Sequence, residues 1–183
     1  NRVSERVERE KPYKPYEYYG DPAAEEIMIA MGSVCDCAEE VVDYLNAKGK
    51  KVGVLSVRLY RPFSAKHFVA EIPSTVKKIA VLDRTKEPGS LGEPLYLDVV
   101  AALKGTEFED RFVARGRYGL GSKDVQPGDI LAVFENLWSA SSKEEFTLSI
   151  EDDVTNLSIK GSENPDVAPK SVVACKFWGL GAD

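Results

Sequence analysis

The side chains with chemical reach in this sequence are few and scattered. Cys35 and Cys37 stand one residue apart just after Gly32-Ser33, His67 follows Arg61-Pro62-Phe63, and Cys175 lies far down the chain. A thiol in the first turn of a helix is drawn toward thiolate by the helix dipole, which singles out Cys35 and Cys37. Helical positions i and i+2, however, point about 200° apart, so the two do not easily share a metal or close a disulfide. With a single histidine in the chain, a zinc or iron–sulfur site lacks ligands. His67 could act as a general base, but no Ser or Cys nucleophile elbow accompanies it. A lone helical histidine reads better as a surface or packing residue.

Three segments could meet an anion or another protein surface. Gly32-Ser33 ahead of a helix offers backbone N–H groups to a phosphate or carboxylate. A dinucleotide fingerprint needs GxGxxG there, and one glycine stands alone, so a plain strand-to-helix turn is preferred. Arg115-Gly116-Arg117-Tyr118-Gly119-Leu120-Gly121-Ser122-Lys123 mixes three glycines with three cations, a composition that approaches anions through backbone N–H groups. Its spacing is not that of a P-loop, and it reads as a structured glycine loop contacting another domain. The loop from Asp83 to Ser90 follows a predicted strand, at the end of the sheet where open α/β folds place ligands, and carries both signs of charge beside Pro88-Gly89. A docking role competes there with a solvated connection whose ion pairs are worth little. The interdomain contact candidates are therefore Arg84, Lys86, Glu87, Arg115, Arg117 and Lys123. Asp152-Asp153 lacks both EF-hand spacing and a third carboxylate, and no catalytic, cofactor-binding or metal-binding residue is assigned.

The elements that must position these residues alternate. Ile27 to Met31 reads as a buried strand ended by Gly32, and Ser33 is placed to cap a helix with Val34, Ala38, Val41 and Leu45 on one face up to Gly49. Val52 to Leu59 is a second strand, and Ser64 is placed to cap a short helix bearing Phe68, Val69 and Ile72 before Pro73. Lys78 to Leu82 is a third strand, and Pro94 opens a helix through Leu95, Val99 and Leu103 to Gly105. Beyond it the rhythm weakens. Phe112 to Ala114 is a weak strand, Pro127 starts a helix with Ile130, Leu131, Phe134 and Leu137, and Phe146 to Ile150, Leu157 to Ile159 and Val172 to Phe177 are strand candidates. Such alternation predicts an α/β fold with a mostly parallel sheet between helical layers. The Tyr- and Pro-rich lead, KPYKPYEYYGDP, reads as an extended segment lying along another surface or as a linker.

Bulk properties remove several classes of function. A chain of 183 residues, 43% hydrophobic, buries a real core. A formal charge of -6 and a pI near 5.0 oppose nucleic-acid binding. No stretch reaches the roughly 20 apolar residues of a membrane span, and the charged N-terminus is no signal peptide, so a soluble, cytoplasmic protein is expected. An odd count of three cysteines fits a reducing compartment. Asn1 in place of an initiator Met, and an ending at Gly179-Leu180-Gly181-Ala182-Asp183, are expected of a piece of a longer polypeptide.

Several segments together resemble the pyruvate:ferredoxin (flavodoxin) oxidoreductases, in the region after their pyrimidine-binding domain. They are AMGSVCDCAEEVVDYLNAKGKKVGVLSVRLYRPF (30 to 63), VLDRTKEPGSLGEPLYLDVVAAL (81 to 103), GRYGLGSKDVQP (116 to 127), IEDDVTNLSI (150 to 159) and CKFWGLGAD (175 to 183). The resemblance implies a transketolase C-terminal-domain-like α/β/α domain over residues 23–140 with a mixed sheet of about five strands. An extended segment, 1–22, would precede it, and a strand and loop extension, 141–183, would lead to the next domain. It implies a parent, expected to be a homodimer, that converts pyruvate and coenzyme A to acetyl-CoA and carbon dioxide. The parent passes electrons to ferredoxin or flavodoxin, using thiamine diphosphate, magnesium and iron–sulfur clusters. No four-cysteine cluster pattern and no GDG-type segment occurs here, so those cofactors and partners would be met by other domains. The expected role is structural, through contacts with the other domains. A competing reading is a module binding a small anion, such as coenzyme A or a nucleotide, at Gly32-Ser33, the Arg115 to Lys123 loop or the Gly179 to Asp183 end. An independent hydrolase or transferase lacks a nucleophile and base pair.

Overall fold

Three short runs, EIMIA, VGVLSV and KIAVLD, are too continuously apolar for strands with one wet face, so they belong at the centre of a sheet covered on both sides. A computed structural model, which describes residues 13–150, 154–168, 171–173 and 175, has this arrangement. Strand β2 (Glu26–Ala30) runs parallel to both β3 (Val52–Val57) and β4 (Lys78–Asp83), with Ile29 beside Leu55 on one side and Val81 on the other. Next to β4 lie β5 (Phe112–Arg117) and then β6 (Glu145–Thr147), both parallel. At the other edge β1 (Tyr16–Gly20) pairs antiparallel with β3, giving the order β1-β3-β2-β4-β5-β6.

Strand pleating divides the core in two. Met28, Ala30, Val54, Ala80 and Leu82 point toward helices α1 (Val34–Ala47) and α4 (Pro127–Trp138), meeting Val41, Leu45, Val133 and Phe134. Ile27, Ile29, Leu55, Ile79 and Val81 point the other way, toward α2 (Ala65–Val69) and α3 (Pro94–Leu103), meeting Phe68, Leu95 and Val99. The result is the expected three-layer α/β/α sandwich.

The differences from expectation are local. The sheet has six strands, not about five, because Tyr16–Gly20, read as part of an extended lead, hydrogen-bonds along β3. Tyr16 anchors it: its buried ring packs against Phe63 and Phe68 at centroid distances of 5.4 and 5.5 Å, and its Oη accepts from the Ser64 N–H at 2.7 Å. Strand β5 is longer than the weak run Phe112 to Ala114, and β6 ends at Thr147 instead of Ile150. Neither expected serine cap forms. Ser33 is itself helical and makes no side-chain cap bond, while Gly32, at φ +75°, makes the turn. The Ser64 Oγ meets His67 Nδ1 at 2.8 Å instead of a backbone N–H.

The segment after β6 runs back over the sandwich. Leu157 to Ile159 is one parallel bridge, Thr147 with Ser158, in place of a strand. Val172 and Val173 are not in a strand, and most of the rest of the run to Phe177 lies outside the described residues. Asn164 Oδ1 accepts from the Gly128 N–H at 2.8 Å, and the Ser162 N–H donates to the Gly128 carbonyl at 3.0 Å. Only glycine permits this clasp, since a Cβ at position 128 would stand 2.1 Å from the Ser162 carbonyl oxygen.

Candidate functional site

Parallel strands deliver their following loops to one edge of the sheet, so β2, β4 and β5 bring Gly32-Ser33, Asp83-Arg84 and Tyr118-Gly119 together there. The chain leaves β2 for β3 on one side and returns to β4 on the other, and such a reversal opens a crevice beyond the strand ends. A cleft of 370 Å³ lies there, lined by Ser33, Cys37, Arg84, Tyr118, Lys123 and Gln126 among others. Tyr118 Oη donates to the Met31 carbonyl at 3.3 Å, tying the β5 loop to the β2 loop. Gly119, at φ +65°, lies directly under Arg84: a Cβ there would be 2.8 Å from Nε. Two segments read separately in the sequence, Gly32-Ser33 and the glycine loop, therefore share one cavity.

The thiols beside it are not activated. Burial pushes Cys35 up, outweighing the opposing influence of nearby Ser56 and Arg58, and burial also pushes Cys37 up, helped by Glu40 and Asp129. Desolvation thus outweighs the helix dipole that pointed to thiolates.

A second cluster closes the neighbouring edge. Arg117 Nε donates to Glu93 Oε1, Arg117 Nη2 to Glu145 Oε1 and Arg115 Nη2 to Glu145 Oε2, each at 2.5 Å, and Arg115 Nη1 donates to the Leu91 carbonyl. The Arg117 and Glu93 side chains are only 11% and 2% exposed. For Glu145, burial raises the carboxyl's affinity for a proton, but the two guanidiniums outweigh it and hold the group below the usual carboxylate range. Asp83 is spent nearby: its two oxygens accept the Leu95 and Tyr96 N–H groups at 3.0 and 3.1 Å, capping α3. Burial raises Asp83 despite those bonds.

The six contact candidates therefore fall into three places. Arg84 and Lys123 face the cleft, Lys86 and Glu87 are exposed on the loop, and Arg115 and Arg117 are engaged within the domain. Their acidic partners Glu93 and Glu145 escaped sequence reasoning. The available signal was Arg115 and Arg117 at i and i+2 of a strand, which puts both guanidiniums on one face.

His67 and Ser64 form an exposed pair in the first turn of α2. Among the described residues, no three His, Cys, Asp or Glu side chains gather as a metal-ligand set, so these residues do not suit a cluster or a magnesium ion. No helix among them is long and apolar enough to cross a membrane.

Residues 24–130 match the family model of the pyruvate:ferredoxin oxidoreductase core domain II. The chain is 53% identical over 174 residues to the pyruvate-flavodoxin oxidoreductase of Enterobacter agglomerans, covering 94% of this chain and 15% of that protein. It is 52% identical over 171 residues to the pyruvate:ferredoxin oxidoreductase of Moorella thermoacetica, covering 93% and 14%. A transketolase structure from Pichia stipitis overlaps 42% of this chain and 12% of its own at a TM-score of 0.33 and 22% identity, a likeness too slight to carry weight. The chain thus spans 14–15% of the length of these two curated relatives. It belongs to the pyruvate:ferredoxin oxidoreductase core domain II family.

Proposed function

We propose that this chain is a structural, non-catalytic internal domain of a pyruvate:ferredoxin or pyruvate:flavodoxin oxidoreductase. The observation that carries the reading is the pairing of 53% identity across 94% of the chain with coverage of only 15% of the relative. A chain so alike, yet so small a part, contributes to an activity assembled mostly elsewhere. The parent would oxidise pyruvate with coenzyme A to acetyl-CoA and carbon dioxide in the cytoplasm, as a homodimer. Thiamine diphosphate, magnesium and iron–sulfur clusters would sit in its other domains.

The domain's part is to present a firm surface. Residues 23–140 would form most of its body, completed by the edge strands Tyr16–Gly20 and Glu145–Thr147, with the rest of 1–22 and 141–183 leading to its neighbours. Lys86 and Glu87 are exposed on the loop after β4, and beside it Leu91 is 87% exposed while Leu97 and Val100 share the outer stripe of α3. Solvent-facing apolar side chains of this kind suit contact with the rest of the parent polypeptide.

The test is made in the full-length enzyme with Leu97→Asp and Val100→Asp together. The expected result is a weakened dimer in sedimentation and a loss of turnover of at least tenfold, while the isolated chain carrying the same changes melts normally. Unchanged assembly and turnover would remove the bracing role.

A further inference from the structure

We propose that the cleft at the C-terminal ends of β2, β4 and β5 is a binding site for a small phosphate-bearing anion, held chiefly by Arg84 and Lys123. Three observations converge. The first is charge without a partner. Arg58, Arg61, Arg115 and Arg117 each hold a carboxylate, whereas the side chains of Arg84 and Lys123 make no hydrogen bond or ion pair among the described residues. In a chain of net charge -6, two cations that reach one cavity from separate loops with no carboxylate on them among the described residues make a positive site suited to a mobile anion. Asp124 also lines the cleft, and it pairs with neither.

The second is placement by the backbone. Gly119 has no side chain where Arg84 lies across it, so the guanidinium is set over the cavity by the same turn that carries Lys123. Guanidinium is the side-chain group best matched to the fork of phosphate oxygens. The third is location and size. The cleft sits where the strand order reverses, and 370 Å³ falls near the lower end of ligand cavities, about 300 to 1,000 Å³. The α1 N-terminus on its wall adds favourable dipole, with Ser33 making no cap bond. Cys37 contributes a neutral thiol, which does not repel an anion.

Titration calorimetry of the full 183-residue chain with inorganic pyrophosphate, at about 0.1 M salt to screen diffuse attraction, tests the site. The expected result is saturable one-to-one binding that Arg84→Gln with Lys123→Gln weakens at least tenfold. The control Lys66→Gln with Lys104→Gln removes the same charge from exposed positions outside the cleft and should leave binding unchanged. No binding by the unsubstituted chain, or equal loss in both double variants, would overturn the proposal. Circular dichroism melts confirm folding, and the single variants Arg84→Gln and Lys123→Gln supply the comparison if a double variant is unfolded.

Discussion

Arg117 is the residue on which the β5 edge turns. Its guanidinium joins Glu93, the residue before α3, to Glu145 at the start of β6, so one side chain fixes a helix and two strands. Removing one partner of a buried pair leaves the other desolvated, and Arg117→Ala should cost about 3 kcal/mol in urea unfolding. A cost below about 1 kcal/mol would mean that water reaches Glu93. Glu145 makes a separate prediction in pH. Its folded pKa lies below its unfolded value, so it adds stability above the ordinary carboxylate range and loses that contribution as pH falls through the folded value. The stability difference between the unsubstituted chain and Glu145→Gln should therefore be largest near neutrality and shrink below about pH 4, as unfolding at a series of pH values would reveal. Beyond the i, i+2 spacing of the two arginines, this was not legible in the sequence. Arg115 and Arg117 looked like outward-facing cations because the carboxylates that hold them come from positions 93 and 145, and only tertiary folding brings those near.

At the scale of elements, the central strands and the helices were legible, and their edges were not. EIMIA, VGVLSV and KIAVLD carry their burial in their composition, and Pro94 and Pro127 mark helix starts through a missing N–H that a first turn does not need. The lead segment was ambiguous because tyrosines among prolines suit both a linker and an edge strand, and pairing with β3 decides between them. Tyr16→Phe should cost about 1–2 kcal/mol, because the Ser64 N–H loses its acceptor while the ring packing stays. No such loss in thermal or urea unfolding would show that water replaces the hydroxyl. The segment over α4 carried no periodic signal, since it docks through backbone bonds to Gly128 and the Asn164 side chain. Gly128→Ala should push residues 161–164 off the helix, and faster amide exchange there, with β2 to β4 still protected, is the expected readout.

At the scale of the whole molecule, the layered fold followed from alternation alone, while the candidate site did not. The sequence held Gly32-Ser33, Arg84 and the 115–123 loop as three unrelated features. Only the strand order sets β4 between β2 and β5 and makes one cleft of them. The domain is thus built from two well-filled cores, and the proposed role is one carried by the surfaces those cores hold in place. The most direct test of that claim is an assay of the purified chain with pyruvate, coenzyme A, thiamine diphosphate, magnesium and an artificial low-potential electron acceptor. No pyruvate-dependent reduction above background is expected, and sustained reduction that scales with the amount of chain would contradict a role carried by surfaces.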